Sequence, residues 1–432
     1  MSTETKPEGY IRTTFQRALG VREQIAGIRP ASELRTDKDR LVQYARLRGL
    51  VYSTTPIISV PRLNGSTILY KYESYRPSGS HYDPTYLETL SALELRDQQI
   101  MPGDDLYEVS SGSAGTSFAW LCSRLGFNAH IYVPGSLPSG RIQEMINFGA
   151  KVEVIGDEGA YIPEASRAET RAFIKEANRT GHKIADPIKN DDFNLYYGRN
   201  PNGHKMVLVN HSENGITPKS MMDILRQVYI ITPEGIKIDN IVSVIGNGTS
   251  STGLYRGRNE YFPGATLIGL ENYDSAVLFR KKYPELAENW GLVFKPQRMF
   301  GSIIPEMELP FLDSNIFDEI RLVKEEQARL KMGLHNFERP VIESIGLTSA
   351  ASMVLAERIA DEDPGSITLA LVYDGGYRYG DPVVSTGKYD ETYFGHEQYR
   401  MPLCAPWFQA SSKDLASMPH TIGQVFNRVS WG

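Results

Sequence analysis

The chain has only two cysteines, Cys122 and Cys404, in 432 residues. Two thiols cannot build a disulfide framework or a four-thiolate metal site. Long apolar runs are missing as well. The longest, such as Ile367 to Tyr373, fall far short of the ~20 residues that span a bilayer. The opening MSTETKPEGY lacks the apolar stretch of a signal peptide and carries acidic residues that transit peptides avoid, so a cytoplasmic location is expected. There is no surplus of positive charge. The formal net charge is −6, which argues against a general nucleic-acid-binding surface. The eight histidines show no metal-ligand spacing, and no metal is expected. No repeat and no low-complexity linker interrupts the chain.

What is present is the balance of a globular protein. Hydrophobic residues make up 41% and charged residues 23%, which excludes disorder over most of the length. The length suggests two or three domains. The first fifty residues place Leu34, Leu41, Tyr44 and Leu47 at roughly helical spacing. From Thr55 onward, short β-rich runs alternate with helical stretches. Ile68–Tyr72, Leu106–Val109, Ala129–Val133, Lys151–Ile155, Ile238–Ile245, Thr266–Leu270 and Ile367–Tyr373 read as strands. Leu87–Gln99, Thr116–Leu125 and Ser139–Phe148 read as helices between them. This alternation predicts βαβ units and a mostly parallel sheet, whose ligands bind at the carboxyl ends of the strands.

Two small-residue loops follow apolar strands directly. Gly246, Asn247, Gly248, Thr249 and Ser250 form one, and Ser110, Ser111, Gly112 and Ser113 the other. Glycines admit an anion close to backbone N–H groups, hydroxyls add donors, and a following helix contributes positive potential. Neither loop is a Walker A or GxGxxG motif. A plain strand-to-helix turn without ligand is the alternative reading of each.

In order, six segments resemble the fold-type II family of pyridoxal-phosphate enzymes, which contains cysteine synthase, threonine dehydratase and the tryptophan synthase β chain. Thr55-Pro56-Ile57 is similar to the family's Thr-Pro-Leu. Lys71 to Glu73 and Pro77 to Asp83 are similar to Lys-x-Glu and Asn-Pro-Thr-Gly-Ser-x-Lys-Asp. Ser110 to Gly115 and the Gly246 loop stand at the positions of the substrate-carboxylate loop and the phosphate loop. Gly301 to Glu306 is similar to Gly-x-Gly-Phe-Ile-Pro, and Asp374 to Tyr379 to Asp-Ser-Gly-Glu-Arg-Tyr. The resemblance covers residues 50 to 385. It implies a two-domain α/β architecture with a cleft between the domains, and a homodimer.

The departures bear on chemistry. Tyr82 stands at the position of the Schiff-base lysine, and a phenol forms no aldimine. Ser113 replaces the loop asparagine, Gly375 the serine that meets the pyridine nitrogen, and Pro84 the arginine after Lys-Asp. Pyridoxal phosphate, if bound, is therefore not expected as a lysine aldimine. Lys71 is the nearest lysine in sequence. The catalytic candidates are Tyr82, Ser80 and His81, with His81 packed behind Tyr82. Tyr82 is either a plug filling the volume of the lost lysine, or a phenol that donates a hydrogen bond or a proton. Ser110 to Ser113 are candidates for substrate binding; Gly246 to Ser250 and Gly375 for holding a phosphate or cofactor.

The layout expected is a helical extension over 1–54, a large domain from 55–84 and 201–385, and an inserted small domain over 85–200. An aromatic-rich extension over 386–432 is expected to pack on the body or on a second subunit. No nucleic-acid or membrane partner is expected. Three functions remain open: a repurposed enzyme, a pseudoenzyme acting as a binding or regulatory subunit, and a lyase using non-covalently held pyridoxal phosphate.

Overall fold

The computed structural model describes residues 9–110, 112–134, 137–155, 185–189, 194–199, 202–233, 236–295, 309–338 and 343–379. Ser111, the segment Gly301 to Glu306 and the extension 386–432 lie outside the described residues, as does much of the expected insert.

Twelve strands among these residues form two six-stranded sheets. The first holds β1 (Ile57–Pro61), β2 (Thr67–Tyr72), β9 (Asn240–Val244), β10 (Thr266–Asn272), β11 (Glu319–Val323) and β12 (Ile367–Val372). Their order is β1-β2-β12-β9-β10-β11. Every pairing is parallel except β1 with β2. Every residue of β9 is buried, as expected of a central parallel strand covered on both faces. β1 ends at Pro61 on the sheet edge, where a missing N–H costs no ladder bond.

The second sheet holds β3 (Asp105–Val109), β4 (Asn128–Pro134), β5 (Lys151–Ile155), β6 (Ala185–Lys189), β7 (Asn194–Arg199) and β8 (Lys205–Leu208), in the order β5-β4-β3-β8-β7-β6. β3, β4, β5 and β8 run parallel, while β7 is antiparallel to both its neighbours, β8 and β6. Because β8 pairs with the central strand β3, this sheet runs past residue 200, where the sequence reading returns the chain to the large domain.

Helices α1 (Gly9–Ile25) and α2 (Asp37–Val51) precede β1. A capping box between Thr36 and Asp39 starts α2, satisfying amides that would otherwise be orphaned. Tyr44, Leu47, Leu50 and Val51 of α2 enter the apolar core of the second sheet, so this helix is part of that layer and not an appendage. α3 (Asp83–Ser91) begins four residues before the expected helix, because Pro84 fits a first turn. It stops at a π-turn over Ala92–Arg96. α4 (Ser113–Leu125) and α5 (Ser139–Asn147) follow β3 and β4. In the first sheet's layer, α6 (Ile216–Ile231), α7 (Thr249–Tyr261), α8 (Glu325–Glu338) and α9 (Leu347–Glu362) are the longer helices. Each sheet has its own apolar core, and Tyr82 packs against both. Among the described residues no helix is long and apolar enough to cross a membrane.

Candidate functional site

Tyr82 therefore lies at the seam, immediately before α3. A tight turn brings it there. Gly79 takes φ +77°, open to glycine without strain. Ser80 forms an isolated bridge with Asp374, and its Oγ accepts the Tyr82 N–H at 3.2 Å. Asp83 is buried and accepts the Ser78 N–H at 2.8 Å and the Ser78 hydroxyl. Ser80 and Asp83 thus shape the turn that presents Tyr82.

The phenol is partly buried and faces the Gly246 loop. Burial raises its pKa, against the opposing influence of Ser250, Thr249 and Asn247. The loop is internally braced: Asn247 Oδ1 accepts from the Thr249 N–H at 3.1 Å and the Thr249 hydroxyl at 2.7 Å. Gly248 caps α7 with φ +87°, and a Cβ there would fall 2.1 Å from the Phe311 carbonyl oxygen. His81 packs against the Tyr82 ring, centroids 4.1 Å apart, and its Nε2 lies 3.3 Å from Ser250 Oγ. Burial pushes the His81 pKa down to about 4, so the ring is neutral at pH 7.

Ser110 and Gly112 lie between β3 and α4, in the second sheet's layer. Ser110 Oγ accepts the N–H groups of Gly112 at 2.9 Å and Gly115 at 2.7 Å. Gly112 takes φ +136°, and a Cβ there would sit 2.3 Å from Arg141 Nη1. Arg141 Nη2 donates to Asp374 Oδ2 at 2.9 Å, and Ser113 Oγ donates to the same oxygen at 3.0 Å. Arg378 Nε lies 3.1 Å from Glu144 Oε2. These two buried ion pairs cross from α5 to the segment after β12, tying one sheet's layer to the other. Gly375 lies in that segment, where its carbonyl accepts the Arg378 N–H at 3.4 Å. Of the residues named from sequence, Tyr82, His81, Asn247, Thr249 and Ser250 come together. Ser110, Gly112 and Ser113 gather around Arg141 and Asp374.

Lys71 does not join them. Its ammonium donates to the Thr55 carbonyl at 2.7 Å and to Gln227 at 2.8 Å, beside Glu73 at 3.6 Å. Burial lowers its pKa, against the pull of Glu73.

Two residues escaped the sequence reading. Glu108 on β3 and His211 after β8 meet because β3 and β8 are parallel neighbours ending on the same side. Glu108 accepts the N–H groups of Val109 at 2.9 Å and His211 at 3.2 Å, and its Oε1 lies 3.2 Å from His211 Nδ1. The His211 ring meets the Tyr82 ring edge-on at 5.2 Å. A carboxylate between Tyr107 and Val109 near the end of the strand Asp105–Val109, two residues before the serine loop, was the available signal. Among the described residues no group of three His, Cys, Asp or Glu side chains could hold a metal ion.

Known proteins resemble this chain in sequence and fold. Cysteine synthase B of Escherichia coli (strain K12) is 24% identical over 343 residues, covering 79% of this chain and 95% of its own. Cysteine synthase B of Salmonella typhimurium is 26% identical over 343 residues with the same coverage. The crystal structure of O-acetylserine dependent cystathionine beta-synthase from Helicobacter pylori superposes with a TM-score of 0.60 at 19% identity, over 77% of this chain and 96% of that one. The family model described as "Pyridoxal-phosphate dependent enzyme" matches residues 50–373. With both sheets inside that match, the chain belongs to the pyridoxal-phosphate dependent enzyme family.

Proposed function

We propose that the chain is a cysteine-synthase-like enzyme repurposed to act on a small amino-acid-like or phosphate-bearing substrate without a lysine aldimine. Elimination, replacement and proton transfer are the reactions within its reach. The observation that carries this reading is the Tyr82 phenol aimed at Asn247, Thr249 and Ser250. These neutral donors, at the first turn of the 13-residue helix α7, suit a phosphate-type anion. They offer no amine. Lys71, the nearest lysine in sequence, is engaged by Thr55 and Gln227. The described residues thus suit the phosphate of pyridoxal phosphate but not a cofactor held by lysine, and no step is routed through it.

A pseudoenzyme is the second reading, favoured by the buried Arg141–Asp374 and Arg378–Glu144 pairs that tie the two layers together beside the site. Tyr82→Phe separates the two. It keeps the ring volume and removes the hydroxyl. An acting phenol loses activity or ligand affinity, by roughly 10²–10⁴-fold where it transfers a proton in the rate-limiting step. Unchanged ligand binding and turnover in the Phe variant would leave Tyr82 as a plug. The homodimer implied by the resemblance belongs to the same proposal, and light scattering of the purified chain tests it.

A further inference from the structure

Ser250, Thr249, Asn247 and Glu108 act on the Tyr82 phenol, and none of these four is cationic. His81, the imidazole bonded to Ser250, is neutral at pH 7. An anion held at this loop would meet donors from Asn247, Thr249 and Ser250, and no cation among these groups. In a low-dielectric cleft such an anion favours protonation of a nearby base.

The geometry supplies that base on the other face of the phenol. His211 is buried, 6% exposed, and set by the backbone of Asn210, which adopts φ +47°. A positive φ is uncommon for a residue other than glycine and marks a position held by its surroundings. Glu108, 1% exposed, grips the His211 backbone N–H with one carboxylate oxygen and faces Nδ1 with the other. Ser212, the next residue, accepts from Asn247 Nδ2 at 3.1 Å, so the turn carrying His211 is bonded directly to the anion loop. The titratable groups packed around the imidazole are Glu108 from β3, Tyr82 and Tyr86 from α3 and the turn before it, and His81 beyond the Tyr82 ring.

We propose that His211, positioned by Glu108, is the proton-accepting residue of this site, and that it takes up a proton when an anion binds at Gly246–Ser250. Resting on the reading of that loop as an anion site, this assigns the group that balances the substrate's charge and receives a proton from it. Glu108 is the positioning residue, with a carboxylate that faces the imidazolium. Binding transfers one proton from solvent to the imidazole, and no other bond forms or breaks.

Inorganic sulfate is the probe, because it carries no titrating proton near neutrality. Titration calorimetry of the full chain in buffers of different ionisation enthalpy counts the protons taken up. Wild type should bind sulfate with a net uptake of protons. His211→Gln should bind without uptake, and Glu108→Gln should reduce the uptake while the melting temperature reports the fold. A purely structural Glu108–His211 contact would move the melting temperature and leave the proton count unchanged. Sulfate binding to wild type without proton uptake overturns the assignment of His211 but spares the anion site, as does equal uptake in the His211 variant. If His211→Gln fails to fold, the isosteric Glu108→Gln decides alone, and undiminished uptake there refutes the proposal. A folded wild type that binds no sulfate overturns the loop reading and this inference together.

Discussion

Gly248→Ala tests the anion loop most directly. The new Cβ would lie 2.1 Å from the Phe311 carbonyl oxygen and 2.4 Å from its carbon, both backbone atoms that no rotamer change can move. Two costs therefore add. A left-handed conformation costs a residue with a Cβ about 1–2 kcal/mol. Forcing a methyl into filled space costs about 1–3 kcal/mol more. The control is Gly365→Ala, which has nearly the same backbone angle, φ +84°, but no atom within 4 Å of the added Cβ. It lies before β12 in the same layer and incurs only the first cost. In urea denaturation the Gly248 variant should lose about 1–3 kcal/mol more than the Gly365 variant, with little change in slope. It should also lose the stabilisation that sulfate gives wild type by mass action. Equal losses in the two variants would show that Phe311 does not press on the loop. Equal stabilisation of wild type and the Gly248 variant by sulfate would remove the anion site from that turn.

Three further outcomes follow from the same geometry. Purified protein should show no absorbance band of a protonated lysine aldimine, and borohydride should fix no pyridoxal to any lysine; either signal refutes the reading of Tyr82. Tyr82→Lys should restore an amine but bind pyridoxal phosphate weakly, since Ser113 is engaged with Asp374 and Gly375 offers no hydroxyl; full activity would show that a single residue separates this chain from its relatives. Burial opposes ionisation of Glu73, but Arg76 at 2.7 Å, Lys71 at 3.6 Å and the Thr55 hydroxyl outweigh it and hold its pKa at about 2, below the ordinary 4.5. Because the folded value is the lower one, the stabilisation is present above pH 4.5 and should fade as pH falls toward 2. Glu73→Gln, which leaves two buried cations short of their anion, should cost about 3–5 kcal/mol near neutral pH. A Gln variant as stable as wild type near neutrality would contradict the buried network.

How far the sequence could be read depended on the range of the interactions involved. Strand and helix alternation is local. Ile367–Val372 and Lys151–Ile155 were legible because apolar runs between turn residues need no partner to be recognised. Boundaries set by pairing were less legible. β8 joins the second sheet only through its bonds to β3 and β7, and nothing within Lys205–Leu208 announces which sheet receives it.

The site divides in the same way. The sequence by itself carried segments that resemble the family's motifs in order, with Tyr82 where the resemblance expects an amine. It also determined that glycines and hydroxyls follow β9, since residue identity and spacing are local properties. Tertiary structure decided what those residues face. It aimed Tyr82 at Asn247, Thr249 and Ser250, committed Lys71 to Thr55 and Gln227, and laid Arg141 over Gly112. It also brought Glu108 against His211, 103 residues apart, because two parallel strands end side by side. No periodicity or spacing encodes that meeting. It exists only when packing of the second sheet places β8 beside β3, and so the Glu108–His211 pair became visible only in the folded chain.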